Sequence, residues 1–355
     1  MSDRLDEYRR KRDAERTPEP VPAEPPTPAG DNRFVIQQHH ARALHWDVRL
    51  ERDGVLVSFA VPRGLPRDRV RNHLAKHTED HPLEYLDFAG EIPAGEYGGG
   101  KMVIFDRGTY DTGKWRPDEI AVTFHGERTT GRYLFFQTAG NDWMVRRMDP
   151  PEPGWEPMPD AVEPMLATAA AGLPSPDERW GYEMSWGGRR TLAYVSGGRV
   201  RLTTAGQDVT AWYPEIRPLG AALAPTEAVL DGEIVAFDGT RVSAAALARR
   251  TAPRDAAAGR RLAGRTPVQF LAYDLLWLEG HATTAAIGYA ERRELLDGLA
   301  VTGEHWQTPP YFPGGGAFAL ATAAAQGLAG VVAKRLDSVY EPGHRSRSWR
   351  LVAVG

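Results

Sequence analysis

One short segment of the sequence places imidazole, carboxylate and guanidinium groups at the spacing of a strand face. If residues 44–50 form a β-strand, His45, Asp47 and Arg49 project on one side and the apolar residues between them face a core. His39 precedes this strand and is a candidate third ligand. Two imidazoles and a carboxylate suit a first-row transition metal, and arginine binds phosphate through two parallel hydrogen bonds. The pattern predicts a metal site suited to hydrolysis of a phosphate ester, with a merely solvated polar face as the alternative.

Three more histidines, His73, His77 and His81, follow at intervals of four residues. On a helix they would form one stripe, which would indicate a second metal site. Pro82 directly after His81 favours extended backbone there and argues against that helix. His81 and Tyr85 are the better functional pair, because both can hydrogen-bond a phosphate oxygen.

Composition limits the classes of protein and of site. The 355 residues suffice for two or three domains, and 42% hydrophobic with 25% charged residues is ordinary for globular protein. No run of about eighteen apolar residues occurs and the N-terminus lacks the apolar segment of a secretory signal, so we expect a cytoplasmic protein without a membrane partner. Without cysteine, a metal must bind to His, Asp or Glu. The net charge of −4 argues against nucleic-acid binding by bulk basicity and leaves a local basic cleft open.

The elements that must position these residues are short and strand-like. From residue 33 to about 149, runs rich in β-branched and aromatic residues alternate with turn signals, which predicts a small all-β barrel or sandwich. Residues 1–30 precede it as a flexible arm, in which 3–16 is compatible with a short helix and 17–29 is a Pro-rich linker. Because basic and acidic residues of the arm nearly balance, we expect it to be solvated rather than to bind nucleic acid.

A second Pro-rich stretch, at 150–160, marks a domain boundary. Beyond it, strand-like segments at 228–237 and 268–278 alternate with Ala- and Arg-rich helical runs at 243–250 and 317–326. This alternation predicts a mixed α+β domain.

The motifs around the histidines resemble those of the 3′-phosphoesterase domain of bacterial DNA ligase D, the end-joining ligase. Four segments show the resemblance: QQHHARALHWDVRL (37–50), FAVPRG (59–64), TEDHPLEY (78–85) and IPAGEYGGG (92–100). The resemblance extends over essentially all of 1–148. It implies a compact β-barrel that removes 3′-phosphates and 3′-terminal ribonucleotides from DNA ends with Mn²⁺.

The resemblance also implies roles for individual residues. The ligands of Mn²⁺, or of another divalent metal, would be His39, His45 and Asp47. Arg49 and His81 would contact the scissile phosphate, with His81 also a candidate general acid. The catalytic groups would include Tyr85, and Gln37 would support the site as a phosphate- or DNA-binding residue.

Two further phosphate- or DNA-binding positions depart from the family pattern. Arg63 stands where the family usually has lysine, which keeps the charge but changes the geometry. His73 stands where an arginine is expected, so that one phosphate contact would depend on pH.

The second half, from about 163 to 350, resembles the adenylation domain of ATP-dependent DNA ligases. Its motif segments include EPMLAT (163–168), LDGEIVAF (230–237), FLAYDLLWLEG (270–280) and GVVAKRLDSVYEPGHRSRSW (330–349). The resemblance implies these nucleotide-binding positions: Glu183, Arg190, Glu233, Tyr273 and Lys334.

In this half, the departures from the family motifs fall on residues that take part in nucleotidyl transfer. Nucleotidyl transfer requires a lysine amine, and Ser185 stands where the family motif has that lysine. Gly187 replaces the aspartate of the same motif, and Ala329 replaces a glutamate. The sequence ends at Gly355, and we expect no OB-fold. Whether the fold still binds ATP, through Glu233 and Lys334, is left open.

These observations predict a multidomain protein: a flexible arm (1–30), a 3′-phosphoesterase β-barrel (31–149), a Pro-rich linker (150–162) and a degenerate α+β nucleotidyltransferase domain (163–355). The predicted function is trimming of DNA 3′ ends in double-strand break repair, with the second domain as a scaffold for DNA or a partner. A separate polymerase, ligase or end-joining factor is a candidate partner. The alternatives are an active ATP-dependent ligase that uses Lys334 and a non-catalytic module that binds DNA ends.

Overall fold

A computed structural model describes residues 3–25, 27, 30, 32–251, 253 and 255–355 of the chain. The chain divides into two compact units, Met1–Pro153 and Gly154–Gly355, and each is described by itself. Among the described residues, no helix is long and apolar enough to cross a membrane. The finer boundaries expected at 30, 149 and 162 stay predictions.

Almost all regular elements of the first unit are strands. A five-residue 3₁₀ helix at Leu83–Asp87 lies between its fourth and fifth strands. The other elements are α1 (Asp6–Arg10), β1 (Arg33–His40), β2 (Leu44–Arg52), β3 (Val55–Val61), β4 (His73–His77), β5 (Gly90–Ile92), β6 (Gly100–Arg116), β7 (Glu119–Gly126), β8 (Thr130–Ala139) and β9 (Asp142–Arg147).

Eight of these strands close into an antiparallel barrel, in the order β1-β2-β3-β4-β9-β8-β7-β6 and back to β1. The short β5 adds to the edge of β6. The predicted barrel is therefore confirmed. The histidines at 73 and 77 lie on β4, so the helical stripe that would have made them a metal site does not form.

Alternation along β2 separates the barrel interior from its outer wall. Val48 pairs directly with Phe59 of β3, whose ring lies 4.8 Å from that of Phe135 on β8. Because β3 and β8 are not neighbours in the sheet, the contact between Phe59 and Phe135 crosses the barrel interior. Val48, which pairs with Phe59, faces the same interior. Asp47 and Arg49 therefore face outward from the wall, and the candidate site lies outside the barrel rather than within it.

The N-terminal arm covers this outer wall and is not solvated as the charge balance led us to expect. Leu5 and Tyr8 are buried in one cluster with Tyr85 and Leu86. The Tyr8 hydroxyl donates to the Pro20 carbonyl at 2.7 Å. Three of the arm's basic residues pair with acidic residues of the arm or the barrel: Arg4 with Asp80 (2.8 Å), Lys11 with Glu79 (3.0 Å) and Arg12 with Glu19 (2.8 Å).

In its described residues, the second unit has fourteen strands and five α-helices. The strands are β10 (Leu166–Ala170), β11 (Trp180–Ser185), β12 (Arg189–Ser196), β13 (Arg199–Thr204), β14 (Gln207–Asp208), β15 (Ala228–Asp238), β16 (Arg241–Val242), β17 (Val268–Leu278), β18 (His281–Ala282), β19 (Thr302–Gly303), β20 (Trp306–Gln307), β21 (Phe312–Pro313), β22 (Gly330–Arg335) and β23 (Arg345–Ala353). The helices are α2 (Leu219–Leu223), α3 (Ala244–Ala248), α4 (Ala256–Arg265), α5 (Tyr289–Gly298) and α6 (Gly316–Ala325).

Two sheets organise this unit. One follows the order β10-β23-β22-β11-β21, and the other follows β14-β13-β12-β15-β17-β20-β19, with β16 beside β15 and β18 beside β17. The central strands β15 and β17 are buried along almost their whole length, which explains their continuous apolar sequences. The helical runs predicted at 243–250 and 317–326 correspond to α3 and α6. The mixed α+β prediction is confirmed.

Candidate metal centre and candidate nucleotide site

The register of two strands brings three metal-ligating side chains together. His39 on β1 pairs across the ladder with His45 on β2, and Asp47 follows two residues later on the same face. Each of the three offers one ligand atom, and these atoms all lie within 4.8 Å of one another. Asp47 is central, since its two oxygens lie 3.5 Å from His39 Nδ1 and 3.5 Å from His45 Nε2.

The hydrogen bonds of the two imidazoles fix which ring nitrogen faces the centre. His39 Nε2 lies 2.8 Å from the Gly98 carbonyl, and His45 Nδ1 lies 3.0 Å from the Ala43 carbonyl. A carbonyl oxygen only accepts, so each of these nitrogens donates its N–H. In the neutral rings the lone pair therefore sits on the other nitrogen, the one that faces Asp47. Metal-bound histidines are oriented in this way, and two imidazoles with one carboxylate fit a transition metal with open coordination positions.

Asp47 is held ionised at this centre. Burial raises the pKa of its carboxyl group, but Arg49, His39 and His45 outweigh burial and hold that pKa well below its usual range. Burial lowers the pKa of His45, whereas the hydrogen bond and charge of Asp47 raise it and prevail. The carboxylate thus draws positive charge into the centre, as a metal ligand must.

Arg49 is buried behind the metal centre and fixed by three side chains. Its guanidinium donates to Gln37 Oε1 at 2.7 Å, Ser58 Oγ at 3.0 Å and Asp47 Oδ2 at 3.1 Å. Gln37 in turn donates to the Tyr85 and Phe88 carbonyls, at 3.1 and 2.8 Å. Gln37 is therefore a fully buried residue that positions Arg49, and its phosphate- or DNA-binding role stays a prediction.

His81 also adjoins this cluster, but in a neutral form. Its Nδ1 donates to the Glu79 carbonyl at 2.8 Å, so Nε2 is an acceptor and lies 3.3 Å from an Arg12 nitrogen. Burial, together with Arg49 and Arg12, lowers the pKa of His81 well below its usual value. In this state His81 Nε2 can accept a hydrogen bond, and its role as a general acid stays a prediction.

Tyr85 lies beneath Arg49, with its ring centroid 4.6 Å from the guanidinium carbon. Its hydroxyl donates to Glu19 in a short hydrogen bond. Burial raises the pKa of this hydroxyl above its usual value, so it stays protonated. Tyr85 is therefore fixed between Arg49 and the arm.

The arm supplies residues that the sequence interpretation missed. Arg12 is almost fully buried, bonds to Glu19 and Glu79, and stacks 3.8 Å from the centre of the Tyr8 ring. It thereby reaches His81 from outside the barrel. The sequence gives little indication that Arg12 contacts the site, because a balanced mixture of charges is typical of a solvated segment.

Arg63 and His73 lie at the two ends of the loop that joins β3 to β4. Arg63 is exposed, and His73 Nδ1 lies 2.7 Å from the Gly64 carbonyl, which closes the loop at its base. The structure places both residues beside the barrel wall and not among the three candidate ligands.

In the second unit, Glu183 gathers the groups expected around a nucleotide. It accepts from the Tyr289 hydroxyl at 2.6 Å and from Arg293 at 3.2 Å. Lys334 lies 2.6 Å from its other oxygen, as an ion pair rather than a well-aligned hydrogen bond, and 4.1 Å from the centre of the Trp349 ring. Burial lowers the pKa of Lys334, although Glu183 opposes this.

The other predicted nucleotide-binding residues also have internal partners. Arg190 forms a two-bond ion pair with the buried Asp231. Glu233 accepts from the Gly188 backbone N–H at 2.7 Å, and burial raises the pKa of its carboxyl group. Burial also raises the pKa of Tyr273, which is hydrogen-bonded to Glu233. Ser185 ends β11, where it pairs with Gly330.

Comparisons with known proteins match both units to families. Residues 37–137 match the model of the DNA Ligase D 3′-phosphoesterase domain, and residues 164–351 match that of the ATP dependent DNA ligase domain. The multifunctional non-homologous end joining protein LigD of Mycolicibacterium smegmatis is 44% identical over 98% of this chain and 45% of its own length. Its counterpart in Mycobacterium tuberculosis H37Rv is 46% identical, with the same coverages. The chain thus spans about half the length of these relatives.

A solved structure of mycobacterial DNA ligase D complexed with ATP and MES is 38% identical to this chain. It covers 54% of this chain and 60% of its own, with a TM-score of 0.46.

Proposed function

The chain belongs to the ATP-dependent DNA ligase domain family and carries a DNA ligase D 3′-phosphoesterase domain, and on this premise we propose that its first unit is a metal-dependent hydrolase of DNA 3′ ends. The substrates would be a 3′-phosphate or a 3′-terminal ribonucleotide left at a double-strand break. The observation that supports this most is the convergence of His39, His45 and Asp47 beside Arg49.

The site's own residues suit a phosphate ester. His39, His45 and Asp47 would hold a divalent ion, Mn²⁺ in this proposal, which when bound supplies a Lewis acid for a phosphate oxygen. Arg49 uses three of its five N–H groups within the protein, so two remain to donate to the phosphate and offset developing charge. His81 Nε2, as an acceptor, can accept a hydrogen bond from an attacking water or from a protonated phosphate oxygen and so orient it.

For the second unit we propose a scaffold that binds DNA or a partner without forming an adenylate. Ser185 has no amine for the phosphoramidate bond, and Lys334 is buried in its ion pair with Glu183. A separate polymerase, ligase or end-joining factor would complete repair in the cytoplasm. A non-catalytic module that binds DNA ends would leave the candidate metal centre without a role. An active ligase would need Lys334 as its nucleophile, and this lysine is buried in its ion pair with Glu183.

The test is release of phosphate or of a nucleoside from a primer–template that ends in a 3′-phosphate or in a single 3′-ribonucleotide. We expect release with Mn²⁺, and loss of release with a chelator or in Asp47→Ala. Asp111→Ala, an exposed carboxylate on β6, is the matched control and should keep full activity. Release that persists in Asp47→Ala, or DNA binding without any release by the wild type, would overturn the proposal.

A further inference from the structure

The loop between β3 and β4, residues 62–72, is a strongly basic segment. It contains Arg63, Arg67, Arg69 and Arg71 against a single acidic residue, Asp68, in a chain whose net charge is −4. Arg63, Arg69 and Arg71 are exposed. A local excess of arginine on an acidic protein concentrates positive potential at one place.

This basic loop is anchored to the barrel wall that bears the metal ligands. It leaves β3 after Val61, which pairs with Trp46, the residue between His45 and Asp47. Gly64, at a φ of +68°, passes so close to Trp46 that a Cβ there would lie 3.4 Å from the indole. The bond from His73 to the Gly64 carbonyl closes the other end. Both ends of the loop therefore meet at the end of β2 that carries His45 and Asp47, against Trp46, whose side chain alternates to the other face of that strand.

The tip of the loop is apolar and open to solvent. Val70 is 80% exposed, and it lies between Arg69 and Arg71. Its backbone N–H donates to the Asp68 side chain at 2.7 Å, which holds the turn that presents it. An exposed branched side chain between two cations suits a ligand with both charged and apolar surface. DNA offers this combination in its phosphates and in its sugar and base edges.

We propose that the basic loop binds the phosphate backbone of duplex DNA next to the 3′ end held at the metal centre. The proposal rests on the proposed function, and it deepens it by adding a specificity element for a primer paired to a template. Arg69 and Arg71 neutralise phosphates, and Val70 packs against sugar or base edges. The interaction is independent of base sequence, because its polar contacts are to phosphates.

The test compares binding of a fluorescent hairpin primer–template with a 3′-hydroxyl end by the wild type, Arg69→Gln and Arg69→Gln/Arg71→Gln, over a series of salt concentrations. Each lost phosphate contact should reduce the slope of log affinity against log salt by about 0.9. We expect a reduction of about that size in the single variant and of about twice that size in the double variant. Val70→Ser should weaken binding without changing the slope.

Arg116→Gln is the matched control, since Arg116 is an exposed arginine at the opposite end of the barrel from the C-terminus of β3. Its salt slope should equal that of the wild type. Equal slopes for Arg69→Gln, for the double variant and for Arg116→Gln would overturn the proposal. The assay of 3′-end release separates the loop proposal from the proposed hydrolase function. A reduced salt slope in the loop variants, together with no 3′-end release by the wild type, would refute only the hydrolase function. Release by the wild type with unchanged slopes in the loop variants would refute the loop only.

Discussion

At the scale of single residues, the orientation of two imidazoles carries more information than their identity. Gly98 and Ala43 each accept the N–H of one histidine, so both free lone pairs face Asp47. A lone pair that faces a carboxylate 3.5 Å away repels it, and either a ring proton or a metal cation between the groups removes this repulsion. The three side chains therefore favour positive charge between them, which a divalent ion would supply.

Gln37 offers a residue-scale prediction, because it acts only through Arg49. In Gln37→Ala, Arg49 loses the acceptor that fixes its Nε, and the rate of 3′-end release should fall by about 10- to 100-fold, as for other residues that orient a site group. Mn²⁺ affinity, measured by calorimetry, should stay close to that of the wild type, since the described side-chain hydrogen bonds of Gln37 go to Arg49, Tyr85 and Phe88 and not to the ligands.

The neighbouring Gln38→Ala provides the matched control. Gln38 is also buried, but it alternates to the other face of β1. Its release rate should equal that of the wild type in folded protein. Loss of Mn²⁺ binding in Gln37→Ala, or an equal loss of rate in both variants, would contradict the positioning role.

At the scale of elements, the arm is a structural part of the first unit. Arg12 and Glu79 are 67 residues apart in sequence, and their side chains meet at 3.0 Å. Lys11 reaches the other oxygen of Glu79 at 3.0 Å. These contacts join the arm to the segment that leads into His81. We therefore expect the arm and the candidate site to unfold together.

Because Glu79 is titratable, the stability that its contacts with the arm contribute should depend on pH. Burial raises the pKa of its carboxyl group, but hydrogen bonds from its own backbone, Lys11 and Arg12 prevail and leave that pKa below the ordinary 4.5. A carboxyl group whose pKa is lower in the folded state than in the unfolded state stabilises the fold at pH above its unfolded-state pKa. This stabilisation is lost as the pH falls through its folded-state pKa. The free energy of unfolding of Glu79→Gln should therefore be lower than that of the wild type by about 1–3 kcal/mol at neutral pH.

Chemical denaturation at neutral and acidic pH measures this difference. The gap between Glu79→Gln and the wild type should close as pH falls below the ordinary carboxyl range. Glu84→Gln, an exposed glutamate of the nearby 3₁₀ helix, should show no gap at either pH. A gap that widens on acidification would show that Glu79 is not stabilised as a carboxylate.

The same elements show what can be predicted from sequence and what cannot. Alternation along β2 predicts that His45, Asp47 and Arg49 share a face, because this depends only on strand geometry. That His39 faces His45 depends on the register between β1 and β2, for which the family resemblance supplied the expectation. The contacts of Arg12 with Glu79 and His81 depend on docking of a distant segment, and no local periodicity reports such docking.

At the scale of the whole molecule, the chain combines a candidate metal centre with a candidate nucleotide site, for which we propose that Ser185 replaces the nucleophilic lysine. The charged groups of that second site are paired internally, Lys334 with Glu183 and Arg190 with Asp231. The expected division of labour is hydrolysis in the first unit and binding in the second.

Incubation with labelled ATP and Mg²⁺ should therefore leave the protein unlabelled, while an active ATP-dependent ligase treated in parallel acquires AMP. The physical reason is that Ser185 cannot form the phosphoramidate and that Lys334 is buried beside Glu183. Labelling that disappears in Lys334→Met would establish Lys334 as a nucleophile and contradict the scaffold role.

The central claim is that one ion, held by His39, His45 and Asp47, makes the first unit a hydrolase. The most direct measurement follows bound Mn²⁺ and release of 3′-phosphate in the same titration, for the wild type and for Asp47→Ala. The account predicts that occupancy and rate rise together in the wild type and that both are lost in the variant. A release rate that is independent of Mn²⁺ occupancy, or one that survives in Asp47→Ala after metal binding is lost, would contradict it.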